Sequence, residues 1–123
     1  KGIEPILFMN CQYKNKPEMQ QQLEKEFFKA SKLNKLRMIP AGQAFLYINQ
    51  NFPNINLYTE DLRHPSKEGT YLAALMIFTS LSNKTPIGNS YTMDLDPEVA
   101  KILQKVAWLT HKDFQKKIMN SGL

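Results

Sequence analysis

The sequence predicts an α/β chain, rich in helix, with the closing part of a parallel sheet and at least four helices. Two observations carry this. Over residues 3–53, short apolar runs alternate with segments of helical period, in the order strand, helix, strand, helix. Beyond them lie two more stretches of helical pattern, and no third run has clear strand character. Such alternation is the βαβ unit of an α/β sheet, whose crossover is right-handed in almost every case.

Residues 3–9 form the first run, with Ile3, Ile6, Leu7, Phe8 and Met9 nearly continuous and the polar Asn10, Gln12, Lys14 and Asn15 close behind. A run this short reads as a buried parallel strand better than as a helix. Pro17 then sits where the first helical turn tolerates it. Met19, Leu23, Phe27 and Ala30 recur at helical spacing opposite Gln20, Glu24 and Lys25, which predicts an amphipathic helix ending near Asn34. Residues 36–39 are the second strand, stopped by Pro40, Ala41 and Gly42. A short helix follows, with Phe45 and Ile48 inward and Pro53 at its end.

Residues 54–69 read as a loop and hold the densest polar chemistry of the chain. Residues 70–81 are apolar on nearly every side, the pattern of a helix enclosed by other elements. Residues 83–89, with Pro86 and Gly88, connect it to the last helix. That helix has a clear start: Asp96 as N-cap, Pro97 in the first turn, and Glu98 near the positive end of the dipole. Its stripe runs through Val99, Leu103, Val106, Thr110, Phe114 and Ile118.

At 123 residues, with 42% hydrophobic and 22% charged side chains, the chain is one ordinary globular domain or part of one. Sixteen basic residues against eleven acidic give a net charge of +5. The excess sits in short clusters (Lys14 with Lys16, Lys32 and Lys35 with Arg37, Lys112 with Lys116 and Lys117), which read as solvated helix ends and loops. A nucleic-acid surface would interleave such residues with exposed aromatics or show a recognisable module, so no nucleic-acid partner is expected. Nor does any stretch approach the roughly 18 apolar residues of a membrane span. The single cysteine, Cys11, follows an apolar run and reads as a buried thiol. No signal-peptide pattern opens the chain, which begins at Lys1 rather than methionine and reads as a processed, trimmed or truncated product.

The informative string lies between Leu57 and Leu72. A general base needs a group whose ordinary pKa is near neutrality, and it needs an acceptor that keeps one ring nitrogen protonated and the other free. Asp61, three residues before His64, can fold back in a tight loop and supply that acceptor. Pro65 biases His64 away from helical backbone angles. Ser66 is placed to cap the next helix, and Gly69 lets its first turn approach a neighbour closely. A metal site is disfavoured. The only other histidine, His111, lies in a polar helical stretch, reads as a surface residue, and has no ligand-like spacing to Cys11 or to a carboxylate cluster. No cofactor is expected.

The pattern L-Y-x-x-D-x-x-H-P-S-x-x-G-T-Y-L-A-A over residues 57–74 resembles the last conserved block of the SGNH (GDSL-type) hydrolases, in the bacterial H-P-S-x-x-G subgroup. The stretches at residues 39–45 and 81–86 are similar to the flanking segments of that family. The resemblance implies a flavodoxin-like three-layer α/β/α fold, of which this chain would be the C-terminal portion. It also implies hydrolysis of small-molecule or glycan esters, and a periplasmic or secreted setting. His64 would deprotonate a serine and Asp61 would orient it.

The family's G-D-S-like nucleophile motif and G-x-N-D-like motif do not occur here. Asn10 lacks the second setting, and Ser31, Ser66, Ser80, Ser82, Ser90 and Ser121 lack a nucleophile-elbow context. The expectation is therefore a chain that carries the acid–base pair and relies on a missing N-terminal half of the fold, or on self-association. The alternative is a binding or scaffold remnant without catalysis.

Overall fold

A computed structural model describes residues 2–121. In chain order it contains β1 (Ile6–Phe8), α1 (Met19–Asn34), β2 (Arg37–Ile39), α2 (Ala41–Asn51), α3 (Lys67–Ser82) and α4 (Pro97–Ser121). The strands pair in parallel, with Ile6 opposite Arg37 and Phe8 opposite Ile39. The strand–helix–strand order, the four helices and the parallel pairing agree with the sequence expectation.

The three-layer α/β/α architecture does not. Among the described residues the sheet has two strands of three residues each. Strands lie about 4.8 Å apart, so a pair this narrow cannot serve as the central layer for helices on both sides. The helices pack chiefly on one another instead, most extensively α3 on α4. The result is a small helix-rich fold.

Expected strand residues 3–5 stay outside the sheet, and Ile3 is exposed. Pro5 has no amide to donate to a ladder, and three-residue β2 offers no longer partner. Beyond Phe8 one bond to β2 remains, from Met9 N to Ile39 O at 2.9 Å, and the Met9 carbonyl already accepts from Gly42 N of α2 at 3.0 Å.

The main core joins Phe45 and Ile48 of α2, Leu57, Leu72 and Met76, and Leu103 and Ala107 of α4. A second, smaller core gathers Met9, Met38 and Phe114, with Phe27, Phe28 and Ile118 against it. Phe114 thereby fixes the far half of α4 to α1, its ring 5.7 Å from that of Phe28.

α3 is not enclosed on all sides as its pattern suggests. Leu72, Leu75, Met76 and Thr79 face inward, while Ala74, Ile77, Phe78 and Leu81 form an exposed stripe. α2 and α4 cover only one side of the helix. The expected caps do form. Ser66 Oγ accepts from Gly69 N at 3.1 Å, and Asp96 Oδ1 accepts from the amides of Glu98 and Val99 at 3.0 and 3.2 Å.

The loop between α3 and α4 is tied down by buried Gln104. Its amide donates to Tyr71 Oη at 2.9 Å and Asn89 O at 3.0 Å, and its oxygen accepts from Gly88 N at 3.0 Å. Both donors and the acceptor are thus satisfied, which is what a buried amide requires.

His111, expected at the surface, is only 5% exposed. Its Nε2 lies 2.8 Å from Asn83 Oδ1, an atom that can only accept, so Nε2 carries the proton. Asn83 is the left-handed C-cap of α3, so this bond locks the end of α3 to α4. The polar neighbours Lys112 and Gln115 hid an inward-facing position from the sequence reading. Burial, and then the nearby Lys112, lower the His111 pKa from its ordinary 6.5.

The unfolded chain therefore takes up a proton at this site before the folded one does. Stability from His111 is complete above pH 6.5 and is lost as pH falls through and below that value. Thermal unfolding followed from about pH 8 to about pH 5 should show a falling midpoint, with a shallower fall in His111→Gln. Equal slopes in the two proteins would contradict this assignment.

Candidate active site

The loop that carries Asp61 and His64 is closed at its base by backbone bonds. Tyr58 and Pro65 form an antiparallel bridge, and Leu57 O accepts from Ser66 N at 2.8 Å. One step further in, His64 O accepts from Thr59 N at 2.8 Å and Thr59 O from Leu62 N at 3.0 Å. Leu62 adopts the left-handed conformation, with φ 62°, to complete so tight a return. A β-carbon on Gly69 would stand 2.2 Å from Leu57 O, so this close approach needs glycine.

The floor of the loop is Tyr58, 1% exposed, with the Phe45 ring edge-on at 5.9 Å. Its hydroxyl donates to Gln12 O at 2.9 Å and accepts from Asn49 Nδ2 at 3.2 Å. Burial foremost pushes its pKa up to about 12, so it remains a donor. The segment after β1 flanks the loop: Lys14 N donates to Leu62 O at 2.9 Å, Lys14 Nζ to Asn56 Oδ1 at 2.9 Å, and Arg63 lies 5.0 Å above the Tyr13 ring.

Asp61 accepts four hydrogen bonds. Oδ1 takes Thr59 Oγ1 at 2.8 Å, Arg63 N at 2.9 Å and His64 N at 3.0 Å; Oδ2 takes His64 Nδ1 at 2.5 Å. The His64 amide, then its imidazole, the Arg63 amide and Thr59 hold this carboxyl far below the usual carboxylate range. An ionised carboxylate can only accept, so Nδ1 carries a proton. In the neutral ring Nε2 is then the bare nitrogen, and no protein group among the described residues bonds to it. The His64 side chain is 78% exposed and that of Asp61 46%. A contact between two side chains so exposed contributes little to stability, so the pair's effect is on orientation.

Asp61 and His64, the two residues singled out by sequence, are thus brought together as expected. Thr59, the Arg63 amide and Tyr58 were missed as supports. A threonine two residues before an aspartate in a turn is a usable signal for the first. No serine hydroxyl of the described residues bonds to His64: Ser66 caps α3, and Ser31, Ser82 and Ser121 donate to Leu36, Phe78 and Ile118 carbonyls.

Cys11, expected to be buried, is half-buried; burial raises its thiol pKa, which makes it a poor nucleophile at neutral pH. Among the described residues there is no group of three or more histidine, cysteine or acidic side chains placed to hold a metal, and no helix is long and apolar enough to cross a membrane. Cavities of about 770 and 450 Å³ lie elsewhere on the molecule and include neither Asp61 nor His64.

Comparison with protein-family models, with curated proteins and with solved structures finds no match to this chain.

Proposed function

We propose that this chain supplies the acid–base pair of a serine ester hydrolase of SGNH type, acting on small-molecule or glycan esters, with the serine provided by sequence outside these 123 residues. One observation carries the proposal: Asp61 Oδ2 sits 2.5 Å from His64 Nδ1, which leaves His64 Nε2 unengaged at an exposed position. The reading rests on this loop and not on a three-layer sheet.

In the proposed reaction the serine Oγ attacks the ester carbonyl as Nε2 takes its proton. The imidazolium, stabilised by ionised Asp61, passes that proton to the departing alcohol. Water then attacks the acyl-enzyme, giving its proton to Nε2, and the proton returns to the serine as the acid leaves.

The second reading is a binding or scaffold remnant without catalysis. It is favoured by the position of His64 outside both cavities.

Hydrolysis of an aryl acetate separates the two. The 123-residue chain alone should do no better than its His64→Ala variant. The protein extended upstream of Lys1 should show turnover that His64→Ala abolishes. An extended protein as inert as its variant would leave the scaffold reading. His64-dependent turnover by the short chain would mean that one of its own side chains is the nucleophile.

A further inference from the structure

The cavity of about 770 Å³, which includes neither Asp61 nor His64, lies where the end of α1, the start of β2 and the last turns of α4 meet. We propose that it binds an amphipathic anion, a medium-chain fatty carboxylate, with the carboxylate at Lys32 and Lys35 and the chain over Met38, Phe114, Ile118 and Met119. The cavity measures about 770 Å³, within the range of sites that enclose a small ligand. Its inner wall is apolar and firmly held: Met38 and Phe114 are each 7% exposed and belong to the second core. At its lip Met119 is 79% exposed, a large apolar side chain left in water with no cover.

The charges sit on one side of this opening. Arg37 is engaged by Glu4 through bonds of 2.6 and 3.1 Å, so its charge is offset. Lys32 and Lys35 have no acidic partner among the described residues. Both lie at the C-terminal end of α1, whose dipole amounts to about half a negative charge. Two full positive charges exceed it, leaving a net attraction for an anion. Ser80 adds a polar group to the lining: its Oγ is buried and has no hydrogen-bond partner. An apolar wall, an uncovered apolar lip and two unpaired cations together match a ligand with an alkyl chain and one anionic end. A purely ionic ligand such as inorganic phosphate would leave the apolar wall unused.

Decanoate and decanol, below their aggregation limits, are the probes, titrated into ¹⁵N-labelled protein with amide shifts as the readout. Decanoate should bind saturably, with shifts concentrated at Met38, His111, Phe114 and Ile118. Lys32→Glu combined with Lys35→Glu should weaken decanoate about tenfold and leave decanol binding unchanged. Both lysines are at the surface, so the double variant keeps the fold, and its thermal unfolding checks that. Ile118→Trp, which fills the cavity, should weaken both probes. The proposal is overturned by non-saturable decanoate binding, by shifts that map elsewhere, by a double variant that binds decanoate as the wild type does, or by inorganic phosphate binding as tightly as decanoate.

Discussion

Gly69→Ala should destabilise the protein by about 3 kcal/mol and disorganise the Asp61 loop with it. The added β-carbon would stand 2.2 Å from Leu57 O and 3.0 Å from Pro65 Cβ. The nearer obstacle is backbone, and that carbonyl is already fixed by Ser66 N, so neither side can yield without opening the loop. Gly42 is a related case, since its β-carbon would meet Asn10 O at 2.3 Å.

Gly88 provides the contrast. It has φ 87° but open space around it, so alanine there should cost about 1 kcal/mol through backbone strain alone. Urea unfolding of Gly69→Ala and Gly88→Ala side by side measures the difference. A Gly69→Ala protein within about 0.5 kcal/mol of wild type would mean that α3 does not press on the loop as described.

Asp61→Asn should lower ester hydrolysis by the upstream-extended protein by about 10⁴-fold while leaving its unfolding midpoint near that of wild type. Asparagine is nearly isosteric, and its oxygen can keep the bonds from Thr59, Arg63 N and His64 N that shape the loop. Its amide group would instead face His64 Nδ1, turning that nitrogen into an acceptor and moving the proton to Nε2, where the base is needed. Steady-state kinetics with paired unfolding curves separate the two effects. A large loss of stability alongside the rate would place Asp61 in a structural role.

The parts of this molecule that were legible in the sequence are those fixed by local chemistry. Ser66 and Asp96 cap helices because a short polar side chain before an apolar run has few better uses. Asp61 and His64 meet because three residues, a left-handed Leu62 and a following proline leave the loop little choice. What was misread depends on distant packing. Residues 70–81 are apolar all round, yet α2, α4 and β2 pack against one side of them, so Ile77, Phe78 and Leu81 stay exposed.

His111 sits in a polar run, yet points at Asn83, 28 residues earlier, and is buried. The three-layer fold is implied by the resemblance centred on residues 57–74, not by the two strand-like runs themselves. The described residues supply no third strand, and helix-on-helix packing takes the place of a central sheet.

The proposed role of the Asp61–His64 pair requires a serine outside these 123 residues. Labelling the upstream-extended protein with a fluorophosphonate, then locating the label by peptide mapping, tests it most directly. One modified serine outside the 123 residues is expected, labelled at a rate that falls steeply in His64→Ala. No labelled serine, or a labelling rate indifferent to His64→Ala, would contradict it.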